Sequence, residues 1–153
     1  MVSRKSKLKL YWSVIRPLVV YDCETWLLKE STIQKLSVFE RKIFGPTKEA
    51  NGIWRIKTNK ELDELIKHRN IINYVKAQRL SWFGHINAMP KTSIVKRIHK
   101  WKPFTGNPKS WWEGDVRNDL KKIKLLKWAE QVQDRFKWKD IVEKATTSRV
   151  VAP

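Results

Sequence analysis

The chain has 153 residues, of which 33 are Lys or Arg and 15 are Asp or Glu, so its formal net charge at pH 7 is +18. Its apolar fraction of 41% is too high for a disordered basic tail, and its length suits one domain or two very small ones. The single cysteine excludes a disulfide framework and a multi-cysteine zinc site. The apolar runs are too short to span a bilayer, so the sequence predicts an intracellular protein, without distinguishing nucleus from cytoplasm.

The first third of the chain carries apolar residues at helical spacing. The first stripe consists of Leu8, Tyr11, Trp12, Ile15 and Val19. These three- and four-residue steps predict a helix, and Pro17 predicts a kink in it. A Ser-x-x-Gln capping box from Ser31 to Gln34 predicts the start of a second helix, which the pair Gly45-Pro46 ends.

The middle of the chain contains the clearest boundary signals. Residues 53–57 (IWRIK) alternate between apolar and polar residues, which predicts a short extended segment. A second capping box, from Thr58 to Glu61, begins the next helix. Asn70 is suited to cap a longer helix, and Pro90 ends it.

Helical spacing continues to the C-terminal end. A short helix is predicted over residues 92–100, followed by a loop at 102–109 that contains two prolines and a glycine. Two later stripes are formed by Trp112, Val116, Leu120 and Ile123, and by Trp128, Val132, Arg135, Trp138 and Val142. We therefore predict an all-α fold, an irregular bundle of about five to seven helices with one short extended segment.

Two domain organisations fit this pattern. In the first, residues 1–101 form a helical region, 102–111 a linker, 112–145 a C-terminal helical pair and 146–153 a frayed tail. In the second, the same elements form one continuous domain.

The residue types needed for catalysis are not arranged for it. Asp22 and Glu24 are two residues apart with no third acid placed to complete a two-metal site. The histidines have no metal-ligand spacing, Cys23 reads as a buried thiol, and no Gly-rich phosphate loop occurs. We predict no enzymatic activity, no metal, no cofactor and no small-molecule substrate.

The positive signal is charge interleaved with tryptophan. Residues 91–127 hold eleven basic residues against three acidic ones, which leaves a surplus of eight positive charges. Indoles beside ammonium groups can stack on unpaired bases, and lysines can displace counterions from phosphates. The residues predicted to bind nucleic acid are Lys96, Arg97, Lys100, Trp101, Lys102, Lys109, Trp111, Lys121, Lys122 and Lys124.

Six segments match one family in order and spacing. They are residues 15–26 (IRPLVVYDCETW), 39–46 (FERKIFGP), 52–59 (GIWRIKTN), 78–85 (QRLSWFGH), 106–120 (beginning GNPKSWW) and 128–138 (WAEQVQDRFKW). They resemble motifs that follow the polymerase core in reverse transcriptases of non-LTR retrotransposons, such as I-R-P-x-x-x-Y-G-x-E-T-W and Q-R-L-x-W-x-G-H. The resemblance implies the thumb and post-polymerase region of such an enzyme. The palm carboxylates and the endonuclease domain of the family are not among these segments.

Three readings of function follow. The first is a non-catalytic nucleic-acid-binding fragment that grips template, primer or target through its backbone, with the missing polymerase core as a further partner and no membrane. The second is a degenerate open reading frame without selected function, since Asp22 replaces the family's glycine and Asn107 and Trp111 replace its arginines. The third is a helix-turn-helix DNA-binding module formed by the helices that begin near Thr58 and Asn70.

Overall fold

The protein is mostly helical, as the sequence predicts. The computed structural model describes residues 3–48, 50–66, 70–101, 111–125 and 127–147. The helices are α1 (Arg4–Leu10), α2 (Arg16–Val19), α3 (Glu30–Phe44), α4 (Asn59–Leu65), α5 (Ile71–Ala88), α6 (Ile94–Lys100), α7 (Trp112–Lys122), α8 (Trp128–Gln131) and α9 (Arg135–Thr147). Two strands of two residues, β1 (Thr47–Lys48) and β2 (Trp54–Arg55), pair antiparallel, so an extended segment lies where the alternation predicts it. Within the described ranges, no helix combines the length and apolar character needed to cross a bilayer.

The N-terminal helix contains a wide turn where the sequence predicts a kink. A π-helical segment (Tyr11–Ile15) joins α1 to α2, and the Arg16 N–H donates to the Tyr11 carbonyl, five residues back. Pro17 follows in the first turn of α2, directly after the wide turn. The wide turn places both Tyr11 and Arg16 in the interior.

After α2 the chain reverses through Asp22 in the left-handed conformation, at φ 59° and ψ 24°. Glycine adopts this conformation without steric cost, which gives a physical reason for glycine in the motif that this segment resembles. We expect Asp22→Gly to raise the free energy of unfolding by about 0.5–1 kcal/mol, measured by urea denaturation. Asp22→Ala should give no such gain, because alanine keeps the Cβ that disfavours this conformation; a destabilising glycine variant would contradict this account.

Two of the three tested helix caps are as predicted. Thr58 and Glu61 form a reciprocal capping box on α4, and the Asn70 side chain accepts from the Asn73 N–H at the start of α5. The Ser31 capping box is wrong, because α3 begins earlier, at Glu30, with Lys29 as its N-cap. The carboxylate of Glu30 in the first turn favours this earlier start through the helix dipole.

Helix α5 lies at the centre of the fold and joins two of its apolar clusters. Ile71 and Val75 pack with Val20, Cys23, Leu28 and Leu36, whereas Leu80 and Phe83 pack with residues of α7 and α9. Of the 18 residues in α5, only Ser81, His85 and Ala88 are exposed. A recognition helix needs an open face to enter a DNA groove, so the small exposed part of α5 argues against the helix-turn-helix alternative.

The C-terminal helices α7 and α9 pack onto α5 through the apolar cluster that contains Leu80 and Phe83.

A third apolar cluster joins Tyr11, Phe44, Leu62 and Ile66 near the N-terminal helix. The last predicted stripe is divided between α8 and α9, which ends at Thr147. The predicted linker at 102–110 and the tail from 148 lie outside the described residues, so the division into domains stays a prediction.

Candidate nucleic-acid interface

Helix α6 is fixed to the body of the protein by two side chains on its inner side. The Lys96 ammonium donates to the carbonyl of Asn87 (2.7 Å), in the last turn of α5, and to that of Met89 (2.6 Å), the C-cap of α5. The ring of His99 packs edge-on against Trp112 of α7, with 5.3 Å between ring centroids. Burial lowers the pKa of His99, which keeps the ring uncharged near neutral pH. These contacts fix which side of α6 faces outward.

The outward side of α6 carries three of the predicted contact residues. Arg97 and Lys100 are exposed, and Trp101, the C-cap of the helix, is 71% exposed. Trp111, which immediately precedes α7, is 39% exposed. The contact of His99 with Trp112 brings the end of α6 to the start of α7, so Lys100, Trp101 and Trp111 belong to one region of the surface.

The acids of α7 are directed to partners within the protein. Arg79 of α5 binds Asp115 at 2.6 Å and Asp119 at 3.3 Å, and Lys76 lies 3.6 Å from Asp119. Burial raises the pKa of Asp119, while Lys76 and Arg79 oppose that rise.

Glu113, the third acid of α7, also pairs with a cation of the protein. Glu113 is buried and pairs with Arg117 at 2.5 Å, one helical turn away. The acidic residues of α7 are therefore used in internal pairs and reduce little of the positive field outside.

The far end of α7 carries a second group of predicted cations. Lys121, Lys122 and Lys124 are all exposed. Lys124 adopts a left-handed conformation (φ 58°) just after the helix, where the Leu125 N–H donates back to the Leu120 carbonyl at 3.0 Å. Helix α7 has 11 residues, so this group lies roughly 16 Å from the group at its start.

The predicted residues thus form two groups at the two ends of α7. Within the part of the chain that the structure describes, Arg97, Lys100, Lys121, Lys122 and Lys124 form no salt bridge. Lys96 is partly buried and uses two of its three donors internally, which sets it apart from the others. Lys102 and Lys109 lie outside the described residues.

Ile94 and Ile98 are the site residues that sequence reasoning missed. Both lie on the short helix α6, and each is 69% exposed. Their spacing with Trp101, at i, i+4 and i+7, is the signal that could have found them, because it places all three on one side of α6.

Cys23, the one thiol that could act as a nucleophile, is part of the protein interior. Cys23 is buried, and burial together with the nearby Glu24 raises the pKa of its thiol to about 11, which makes it a poor nucleophile. Among the described residues, no cluster of three His, Cys, Asp or Glu side chains could hold a metal ion.

A separate groove of about 680 Å³ lies between the N-terminal helix, α5 and α9. The guanidinium of Arg16 is sandwiched there between the rings of Tyr74 (3.7 Å) and Trp12 (4.5 Å). Carboxylates of Asp140 and Glu143 line the same groove. Arg16 and Lys144 balance these two acids, so the groove has no surplus of positive charge and is less suited to a polyanion than the two ends of α7.

Comparison with known proteins gives one informative similarity. No family model and no solved structure matches the chain. A Caenorhabditis elegans protein, described as uncharacterized and transposon-derived, is 20% identical over 159 aligned positions that cover 95% of this chain. The chain spans 57% of the length of that protein. The similarity points to a transposon origin.

Proposed function

We propose that this chain is a non-catalytic nucleic-acid-binding fragment of a retrotransposon reverse transcriptase. It corresponds to the thumb and post-polymerase region and grips the sugar-phosphate backbone through the cations at the two ends of α7. The observation that carries the proposal is the contrast between the exposed, unbridged cations Lys100, Lys121 and Lys122 and the acids of α7 held in internal pairs.

This arrangement favours backbone contact over base-specific contact. Lysine ammonium groups act as point charges on phosphates and carry no sequence information by themselves. The net charge of +18 adds a long-range attraction that accelerates encounter with any polyanion. The proposed activity is therefore general binding of RNA, DNA or a hybrid, with strong dependence on salt.

The origin of the chain is supported by two independent similarities. The motifs at 15–26, 78–85 and 128–138 resemble non-LTR retrotransposon enzymes in order and spacing. The relative in Caenorhabditis elegans is described as transposon-derived and is longer than the aligned part. We infer that a polymerase core of such an enzyme would be the natural partner of this region.

A degenerate open reading frame is the second candidate. The strained conformation of Asp22, at a position where the similar motif has glycine, favours it. A chain that drifts without selection would bind polyanions through net charge alone, with no preferred face. The two candidates therefore differ in whether the position of a removed charge matters.

A salt titration with matched charge variants separates them. We expect the double variant Lys121→Gln/Lys122→Gln to reduce the slope of log affinity against log salt by roughly two for duplex DNA, because each lost phosphate contact removes about 0.9. The control Lys5→Gln/Lys7→Gln removes two exposed charges from α1 and should change the slope much less. Fluorescence anisotropy with a labelled oligonucleotide measures both.

Two results would count against the proposal. Equal slopes for the two double variants would indicate attraction by net charge alone, as expected for the degenerate reading. Absence of duplex and single-strand binding by the wild-type chain at low salt would reject nucleic-acid binding altogether.

A further inference from the structure

An apolar row runs along the outer side of α6. Ile94, Ile98 and Trp101 are 69%, 69% and 71% exposed and follow each other at helical spacing. All seven residues of α6 are described, and none is buried. The row is roughly 10 Å long, from the rise of 1.5 Å per residue. A continuous exposed apolar row of this kind indicates a contact surface.

The row has cations along one edge. On a helical wheel, Arg97 and Lys100 lie one turn apart on the same side of the row, and Val95 lies on the other side. Residues 91–101 include no acid. The geometry therefore places a line of positive charge parallel to a line of apolar side chains.

The inner contacts hold this arrangement in place. Because Lys96 is bonded to two carbonyls at the C-terminal end of α5 and His99 packs on Trp112, rotation of α6 about its axis would break both contacts. The apolar row therefore has a fixed orientation before binding, which lowers the conformational entropy lost on binding.

We propose that α6 binds single-stranded nucleic acid, with unpaired bases on the row and phosphates on Arg97 and Lys100. This deepens the proposed function and rests on it. A duplex keeps its base faces inside the stack, so it could use the cations but would leave the row in water. A single strand offers both an apolar face and a phosphate line, and roughly three bases at the spacing of about 3.4 Å match the length of the row.

An anionic membrane is the competing occupant, and the charge pattern disfavours it. A helix that lies in a lipid interface buries its apolar face with cations over the rest of its surface. In α6 the inner side is occupied by protein contacts, and the exposed cations Arg97 and Lys100 lie along one edge. That one-sided line complements a single phosphate backbone.

The test compares three ligands of similar length by fluorescence anisotropy: a 12-nucleotide oligothymidylate, an abasic strand of the same length and a 12-base-pair duplex. We expect the wild type to bind the thymidylate strand more tightly than the abasic strand. Trp101→Ala should lower affinity for the thymidylate strand about 10-fold and change affinity for the other two ligands less than about twofold.

Two further variants make the result specific. Trp101→Phe keeps an aromatic face and should retain most of the affinity for the thymidylate strand. Phe136→Ala removes an aromatic side chain that is 85% exposed and lies between Arg135 and Lys137 on α9, so it matches Trp101 in exposure and charge. This control should bind all three ligands like the wild type.

The outcomes separate this inference from the proposed function. Equal binding of thymidylate and abasic strands by the wild type, or an equal loss for all ligands in Trp101→Ala, would overturn the inference while leaving phosphate binding intact. If Trp101→Ala weakened binding to phosphatidylserine vesicles and left thymidylate binding unchanged, the row would be a lipid surface and the inference would be wrong. Failure to bind any of the three oligonucleotides at low salt would reject the proposed function as well.

Discussion

Gly84→Ala should lower the free energy of unfolding by about 3 kcal/mol or more, although alanine is the better helix former. A Cβ at position 84 would overlap Nε1 and Cδ1 of Trp138 and lie 2.5 Å from its Cε2. The indole cannot simply move away, because it is buried and its N–H donates to the Leu80 carbonyl at 3.1 Å. Alanine gains about 1 kcal/mol in helix propensity. A net fall in the free energy of unfolding would therefore show that the clash outweighs this gain.

Gly114→Ala provides the matched control for this prediction. Gly114 also lies inside a helix, but a Cβ there would meet only Cε3 of Trp111 at 3.6 Å, an ordinary contact. We expect Gly114→Ala to raise the free energy of unfolding by up to about 1 kcal/mol through propensity alone. Urea denaturation followed by far-UV circular dichroism measures both variants.

A second-site variant tests whether the clash itself is responsible. In a Trp138→Leu background the side chain facing Gly84 is smaller, so the added cost of Gly84→Ala should fall below about 1 kcal/mol. A Gly84→Ala protein as stable as the wild type would show that α9 does not approach α5 as closely as described.

The contact of Gly84 with Trp138 joins two of the six segments that resemble one family. Gly84 belongs to the segment 78–85 and Trp138 to the segment 128–138. Other residues of the six segments are also internal. Trp112 donates to the Glu24 carbonyl at 2.7 Å, and Lys57 donates to the Gly45 carbonyl at 2.7 Å. The motifs therefore include the contacts that hold the helices together.

Glu40, within the segment 39–46, also forms contacts that hold helices together. Its buried carboxylate accepts from the Ile71 N–H at 3.1 Å, at the start of α5, and from the Tyr11 hydroxyl. Burial raises the pKa of Glu40, and the Ile71 and Tyr11 bonds oppose that rise. A carboxylate at a helix N-terminus compensates the unsatisfied N–H groups there. Glu40 is therefore a charged residue that belongs to the interior of the protein.

The sequence predicts the local structure well because the signals for it are local. Thr58 and Asn70 cap their helices with side chains that reach three residues along the chain, and Pro90 follows the end of α5. Spacing also places Val116 and Leu120 in the core. Such features depend on neighbours within one or two turns, so composition and order determine them.

Tertiary partners are less accessible to sequence reasoning. Lys96 was predicted as a phosphate contact, but its ammonium binds two carbonyls. Ile98 is apolar yet exposed, because no element of the described chain covers the outer side of α6. Whether a lysine or an isoleucine faces protein or solvent depends on how helices dock, which the spacing within one helix does not contain.

Arg79→Met should lower the free energy of unfolding by about 3–5 kcal/mol, the largest loss expected from a single charge. Arg79 is 0% exposed and bridges Asp115 and Asp119 of α7, and Asp115 also accepts from the Leu28 N–H at 3.2 Å. Methionine fills much of the volume but removes the cation that bridges both carboxylates, and Lys76, 3.6 Å from Asp119, and the exposed Lys122 compensate for that loss only in part. Urea denaturation at pH 7 measures the loss.

The pH dependence of the stability lost in Arg79→Met distinguishes an unpaired charge from a packing defect. Burial already raises the pKa of Asp119, and removal of the guanidinium should raise it further. A folded-state pKa above the unfolded value favours the protonated native state, so stability falls as pH rises through that range. The deficit of Arg79→Met relative to the wild type should therefore shrink as pH decreases from 7 towards 4.

A neutralised variant and a surface control complete the argument. Adding Asp115→Asn and Asp119→Asn to Arg79→Met should recover most of the lost stability, since no buried charge then lacks a partner. Lys137→Met breaks the pair with Asp134, in which both side chains are exposed (72% and 39%), so it should cost about 1 kcal/mol or less. If the Arg79 and Lys137 variants cost the same at every pH, Arg79 would be a packing residue and the pairing of α5 with α7 would not depend on its charge.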